Sequence, residues 1–124
     1  MDWSEIIAHE IPKTVKSVLI MTDSQELEQI EVLVEELPEY TFNIMALTLM
    51  GDKLNNLRKY ENVRLHPALL EWNVNRLIGE CDVYLDINFG RKNQEVIEKV
   101  KELGKIILSF ENTANEYYTN KIYP

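Results

Sequence analysis

The chain has 124 residues, of which 45% are hydrophobic and 27% are charged, and its formal net charge is −8. A chain of this size and composition forms one compact domain with a sizeable core. The acidic balance excludes nucleic acid and anionic membranes as principal partners, because both require clustered lysine and arginine side chains.

Cysteine usage and hydropathy narrow the class of protein further. Cys81 is the only cysteine, so an intramolecular disulfide is impossible and a reducing, cytoplasmic location is expected. One cysteine and two distant histidines, His9 and His66, do not form a zinc-ligand cluster. No apolar run approaches the ~20 residues of a transmembrane helix. We therefore expect no metal, no cofactor and no transmembrane segment.

The first elements are predicted from the spacing of apolar residues. Trp3, Ile6 and Ile7 recur at helical spacing and predict a short helix over 3–10. The apolar run at 17–22 predicts a strand that is buried on both faces.

A helix is predicted to follow this strand directly. Asp23 and Glu26 have the spacing of a capping box, in which the aspartate caps the helix and the glutamate reaches back to the cap. Leu27, Ile30 and Leu33 begin its buried stripe, and Pro38 ends the helix.

Four more strands alternate with helical patterns along the rest of the chain. They are predicted at 40–47, 62–66, 82–87 and 105–110, with a final helix starting over 114–120. Within 82–87, Val83 and Leu85 face one side of the sheet and Tyr84 faces the other. The helix after 62–66 is predicted to bury Leu70, Val74, Leu77 and Ile78.

Strands that alternate with helices over short connections form parallel sheets with helices on both faces. The fold class is therefore α/β, a Rossmann-like, doubly wound sheet of five parallel strands in the order 3-2-1-4-5. Residues 1–124 are expected to form a single domain, and the abrupt ends of the chain suggest a fragment of a larger one.

The candidate site is the turn between the strand at 82–87 and the helix after it. Open α/β sheets bind ligands at the carboxyl ends of their strands, where the order of the strands reverses. Around this turn, the side chains that can contact a ligand are Asp86, Asn88, Gly90, Arg91, Lys92, Asn93 and Glu95. Arg91 and Lys92 oppose the helix dipole and suit an anion, although a solvated surface pair is slightly favoured over this interpretation. Asp86 and Asn88 either contact a ligand or hold the turn.

Other polar residues are expected at the rim of the same crevice. Thr22, Asp23 and His66 lie at the ends of two of the strands, and the loop after the last strand carries Glu111, Asn112 and Thr113. No glycine-rich phosphate loop, catalytic elbow or metalloprotease motif is present. Asp23 and Glu26 place negative charge where a phosphate would dock, which weakens the expectation of an anionic ligand.

The runs NVRLHP (62–67), LIGECDVYLDINFG (77–90) and NQEVIEKVKELGKIILSFENT (93–113) resemble the C-terminal half of GT-B glycosyltransferases. YLDINFG (84–90) and IILSFENT (106–113) look closest to the glycosyltransferase-like proteins that serve serine-rich repeat adhesins of the bacterial accessory secretion system. Within that group, the chain resembles the stabilising subunit that pairs with the catalytic O-GlcNAc transferase. The resemblance covers roughly 40–116.

The resemblance implies a function in protein O-glycosylation. Retaining GT-B enzymes typically carry two glutamates eight positions apart at this turn; Glu95 fits the second, which meets the donor ribose, but the first falls at Ile87. This departure favours a non-catalytic subunit that engages the acceptor polypeptide and steadies a catalytic glycosyltransferase subunit. The alternative is the donor-binding domain of an active GT-B transferase, with Arg91, Lys92 and Glu95 holding a nucleotide sugar. Either protein would be cytoplasmic or peripheral at the inner face of the membrane, and the non-catalytic form would bind nucleotide sugar only weakly.

Overall fold

The computed structural model describes residues 17–110, 112–114 and 121–123. The strands are β1 (Ser17–Met21), β2 (Thr41–Met45), β3 (Val63–His66), β4 (Val83–Leu85), β5 (Ile106–Phe110) and β6 (Lys121–Tyr123). The helices are α1 (Ile30–Glu36), α2 (Asp52–Asn55), α3 (Glu71–Glu80) and α4 (Gln94–Glu102), and α2 continues as a 3-10 helix over Asn56–Lys59.

The strands form one sheet in the order β3-β2-β1-β4-β5-β6, and every neighbouring pair is parallel. The predicted order of the first five strands is confirmed. A sixth strand, β6, extends the sheet beyond β5 and was not predicted. The helix predicted at 3–10 lies outside the described residues, as does all of the helix predicted over 114–120 except Ala114, which is not helical.

The centre of the sheet is the pair β1 and β4. Val18 is in register with Val83, and Leu19 with Tyr84. Both strands are apolar on both faces because helices cover the sheet on each side. The adjacency predicted from their apolar runs is therefore confirmed, and the strand order reverses next to β1.

Two hydrophobic layers enclose the sheet. Val18, Ile20 and Leu85 belong to the layer under α1 and α2, and Leu19 and Tyr84 belong to the layer under α3 and α4. Successive residues of β1 and of β4 therefore enter opposite layers, as the two-residue period of a strand requires. The predicted orientation of β4 is confirmed.

The start of α1 differs from the prediction. The helix begins at Ile30, and the residue before it, Gln29, has φ 54° and makes no side-chain cap. The capping box predicted at Asp23 and Glu26 is wrong, because the backbone of 26–28 pairs instead with the turn after β4. The Glu28 N–H donates to the Ile87 carbonyl at 2.8 Å, and the Phe89 N–H donates to the Glu26 carbonyl at 3.0 Å.

One residue predicted for the core, Leu70 just before α3, is not buried, so this prediction is wrong. Leu70 is 64% exposed, because it precedes the helix in an extended conformation and its side chain does not follow the helical stripe. Val74, Leu77 and Ile78 are buried as predicted.

Candidate functional site

A crevice of about 440 Å³ opens at the carboxyl ends of β1 and β2, beside the start of α4. It lies where the strand order reverses, the position at which open α/β sheets bind their ligands. The lining side chains combine apolar, hydroxyl, amide and charged groups: Met21, Thr22, Asp23, Leu47, Thr48, Arg91, Lys92, Asn93, Gln94 and Glu95.

Asn88 holds together the loop after β1 and the turn after β4. Its side chain is buried, and its Oδ1 accepts hydrogen bonds from Thr22 Oγ1 at 3.0 Å, Ser24 Oγ at 2.8 Å and the Gly90 N–H at 2.8 Å. Its Nδ2 donates to the Arg91 carbonyl at 3.2 Å. Of the two roles predicted for Asn88, contacting a ligand or holding the turn, its hydrogen bonds match the second. The side chain fixes the turn that borders the crevice.

Lys92 also supports this turn from within the protein. Its Nζ lies 2.8 Å from Asp86 Oδ1 and 2.7 Å from the Asn88 carbonyl oxygen. The Asp86 side chain is 2% exposed and that of Lys92 is 21% exposed. The Asp86 carbonyl accepts a further hydrogen bond from Ser109 Oγ at 2.5 Å. The Lys92 ammonium group thus neutralises a buried carboxylate. Lys92 is therefore not a solvated surface lysine, and its charge is already paired within the protein.

Asp23 places a carboxylate against the same turn from the solvent side. Its Oδ2 accepts the Arg91 N–H at 3.2 Å, and its Oδ1 accepts from Asn88 Nδ2 at 3.3 Å. A Cβ on Gly90 would lie 2.1 Å from Asp23 Oδ1. The aspartate carboxylate thus occupies the space that a Cβ at this position would take, and a larger residue there would have to displace it.

The start of α4 contributes the other charged groups of the crevice. Asn93 caps the helix, since its Oδ1 accepts the Val96 N–H at 3.1 Å. Arg91 and Glu95 are exposed on the crevice wall. Glu95 also lines a smaller cavity of about 170 Å³ beside Leu47. Arg91 and Glu95 are therefore the predicted residues best placed to contact a ligand.

His66 lies away from the crevice. Its Nε2 is 3.0 Å from Asn43 Oδ1 on the neighbouring strand. Burial lowers the pKa of His66 from its ordinary value, and the charge of Arg76 lowers it further. This ring is therefore a packed, neutral residue near pH 7.

We expect the stability of the domain to fall as the pH drops below about 6.5, the ordinary pKa of histidine. Because the pKa of His66 is lowered in the folded state, the unfolded chain takes up a proton first. The His66→Gln variant should lose less stability than the wild type between pH 7.5 and 5.5, as measured by urea unfolding. Equal losses in the two proteins would contradict this assignment.

The loop after β5 is tied to the chain by a buried acid. Glu28 accepts hydrogen bonds from Asn112 Nδ2 at 2.8 Å and from Thr113 Oγ1 at 3.0 Å. Thr113 Oγ1 also lies 3.2 Å from Ser109 Oγ. Asn112 and Thr113 thus hold this loop against the loop after β1, and neither lines the crevice. Glu111 lies outside the described residues.

The structure brings only part of the predicted set together around the crevice. Six predicted residues line it: Thr22, Asp23, Arg91, Lys92, Asn93 and Glu95. Asp86, Asn88 and Gly90 support it from behind through the contacts above. Sequence reasoning missed the other four lining residues, which are Met21, Leu47, Thr48 and Gln94. The position of Leu47 and Thr48 just after a strand next to the reversal of strand order was a usable signal.

The lining side chains carry two acids, Asp23 and Glu95, and two bases, Arg91 and Lys92, of which Lys92 already neutralises Asp86. Across 17–110, 112–114 and 121–123, no group of histidine, cysteine, aspartate and glutamate side chains is arranged to hold a metal ion. Within the same ranges, no helix is long and apolar enough to cross a membrane.

Residues 18–123 match the family described as the GftB/GlyA-F C-terminal domain. The chain is 39% identical over 121 residues to glycosyltransferase GlyD of Streptococcus pneumoniae serotype 4. This match covers 91% of this chain and 15% of GlyD. It is 41% identical over 100 residues to the UDP-N-acetylglucosamine--peptide N-acetylglucosaminyltransferase stabilizing protein GtfB of Streptococcus parasanguinis, covering 81% of this chain and 23% of that one. The chain thus spans a quarter or less of each of these two relatives.

Solved structures show the same architecture. The apo form of glycosyltransferase GlyE from Streptococcus pneumoniae TIGR4 superposes with a TM-score of 0.84 and 31% identity, over 100% of this chain and 36% of that one. A GtfA/B complex bound to UDP and GlcNAc superposes with a TM-score of 0.81 and 36% identity, over 87% of this chain and 25% of that one. The predicted likeness to one domain of GT-B glycosyltransferase structures is confirmed.

Proposed function

Because the chain belongs to the GftB/GlyA-F C-terminal domain family, we propose that it is the C-terminal domain of a non-catalytic subunit in protein O-glycosylation. In this proposal the subunit binds the acceptor polypeptide and stabilises a catalytic glycosyltransferase subunit in the cytoplasm. The relative from Streptococcus parasanguinis, described as a stabilizing protein for a peptide N-acetylglucosaminyltransferase, supports this role. In this proposal the chain is one domain of a longer two-domain GT-B protein, and its 23% share of that relative's length supports this arrangement.

The observation that carries the proposal is that one of the two basic side chains at the crevice, Lys92, is already paired with a carboxylate of the protein. A nucleotide diphosphate is held by cations and backbone N–H groups. Lys92 is engaged with Asp86 and with the Asn88 carbonyl, and Asp23 accepts the Arg91 N–H. Among the residues that line the crevice, Arg91 alone remains as a cation for a diphosphate.

The same lining suits a polypeptide that is rich in hydroxyl groups. Asn93, Gln94 and Glu95 bring amide and carboxylate groups to the lining, and Leu47 and Thr48 add an apolar and a hydroxyl-bearing side chain. Carboxylate and amide oxygens accept hydrogen bonds from serine and threonine hydroxyls, and these hydroxyls need no cation in the site. This chemistry supports an uncharged acceptor more than an anionic donor.

A second candidate is the donor-binding domain of an active transferase. Its support is Glu95, which lies on the crevice wall at the first turn of α4, and the similarity to glycosyltransferases GlyD and GlyE. In that function Glu95 accepts a ribose hydroxyl and Arg91 pairs with the diphosphate.

Titration calorimetry with UDP and with UDP-GlcNAc separates the two functions. We expect a dissociation constant of about 1 mM or weaker for the chain, which corresponds to only about −4 kcal/mol. Arg91, one exposed arginine beside the acids Asp23 and Glu95, supplies little more binding free energy than this. Micromolar binding that is lost in Arg91→Ala and kept in Arg58→Ala, an exposed arginine outside the crevice, would establish the donor-binding function instead.

The same titration is repeated on the proposed two-domain protein, because its other domain would contribute contacts to a nucleotide sugar. With the catalytic subunit present, Glu95→Gln should leave the KM for UDP-GlcNAc unchanged. A KM raised tenfold or more by this substitution would place the donor in this crevice and contradict the proposal.

A further inference from the structure

We infer that Asp23 is the specificity-determining residue of the crevice, and that its carboxylate excludes phosphate and diphosphate groups from the turn before α4. This inference deepens the proposed function and rests on it. The carboxylate is held by the Arg91 N–H and by Asn88 Nδ2, at 3.2 Å and 3.3 Å. It therefore already occupies the position from which an external anion would accept these hydrogen bonds.

The turn is shaped to receive a negatively charged group at this position. Gly90 has no side chain, and a Cβ there would lie 2.1 Å from Asp23 Oδ1, so the carboxylate rests directly against the backbone. Asn88 Oδ1 and Lys92 Nζ hold the turn from the protein side, through the Gly90 N–H and the Asn88 carbonyl. The geometry of the turn thus depends on contacts that remain when the charge of Asp23 is removed.

Asp23 also borders two neighbouring cavities. It lines both the 440 Å³ crevice and a neighbouring cavity of about 170 Å³ that reaches Gly51 and Leu54. A phosphate bound beside the Arg91 N–H would therefore lie within a few ångströms of a fixed like charge. A neutral group with hydroxyls meets no such repulsion and gains an acceptor.

The test compares two isosteric substitutions that change the net charge equally. Asp23→Asn removes the charge and keeps an oxygen that accepts the Arg91 N–H. Glu102→Gln removes one charge from an exposed residue at the far end of α4. The probes are inorganic pyrophosphate and UDP, titrated into each protein in low salt and again in high salt, which screens exposed charges.

We expect Asp23→Asn to bind both probes at least about tenfold more tightly than the wild type, the size expected when one like charge near an anion is removed. Glu102→Gln should bind like the wild type, and Arg91→Ala added to Asp23→Asn should abolish the gain. Equal affinities for Asp23→Asn and Glu102→Gln, with both variants folded by circular dichroism, would overturn the inference. Should Asp23→Asn not fold, Asp23→Ser also removes the charge, with a shorter side chain that leaves the Arg91 N–H open, and it should bind both probes more tightly than Glu102→Gln.

The outcomes separate this inference from the proposed function. Micromolar binding of UDP by the wild type contradicts the proposed function, whether or not Asp23→Asn binds more tightly. A wild type that binds weakly, together with an Asp23→Asn variant that gains nothing, contradicts the inference alone.

Discussion

Replacing Leu85 with alanine is expected to lower the free energy of unfolding by about 2–5 kcal/mol, the range measured for large aliphatic side chains removed from packed cores. Leu85 is 2% exposed and lies in the central strand β4, in register with Leu108 of β5. The truncation removes its contacts in the layer under α1 and α2 and leaves a cavity there. Urea unfolding followed by circular dichroism gives the difference.

Leu103→Ala is the matched control, because Leu103 is 57% exposed just after α4. Its substitution should change the free energy of unfolding by no more than about 0.5 kcal/mol. A loss below about 1 kcal/mol for Leu85→Ala would show that the side chain is not packed in the core.

The first five strands could be predicted because each of them has a local sequence signal. Parallel strands covered on both faces are apolar throughout, and the runs at β1 and β4 contain too few polar residues to face solvent. The alternation of these runs with helical patterns then restricts the order of the strands to a few arrangements. β6 lacked this signal because KIY is short and follows a polar stretch.

The start of α1 could not be predicted, because contacts distant in sequence determine it. Asp23 and Glu26 have the spacing of a capping box, but Asp23 contacts the turn after β4 and Glu26 pairs with Lys53. The backbone of 26–28 then hydrogen-bonds with that turn and not with itself. Local propensity favoured an earlier helix, and tertiary pairing prevented it.

A crevice lies where the sequence predicted the candidate site, at the reversal of strand order, but the contacts of its residues depend on distances that the sequence does not contain. Lys92 and Asp86 meet only because the turn folds back between them. Glu28 has the pattern of an exposed acid near a helix, yet residues more than eighty positions away bury it. The ligand contacts of Arg91 and Glu95 stay predictions until a ligand is measured.

Replacing Lys92 with methionine is expected to lower the free energy of unfolding by about 3–5 kcal/mol at pH 7, the cost of removing one partner from a buried ion pair. The reason is the burial of Asp86, which is 2% exposed. Methionine keeps much of the side-chain volume but removes the ammonium group that neutralises this carboxylate and donates to the Asn88 carbonyl. Urea unfolding at constant pH measures the loss.

Two further variants show whether this cost comes from the buried charge. Lys53→Met breaks an ion pair with Glu26 whose side chains are 62% and 59% exposed, so it should cost less than about 1 kcal/mol. Asp86→Asn added to Lys92→Met removes the carboxylate itself and should recover part of the loss, because a neutral amide is far less costly to bury than a charge without its cation. If the double variant were as unstable as the sum of the two single variants, the lysine would act independently of Asp86. The rigid turn against which Asp23 rests would then depend on the other contacts of Asn88.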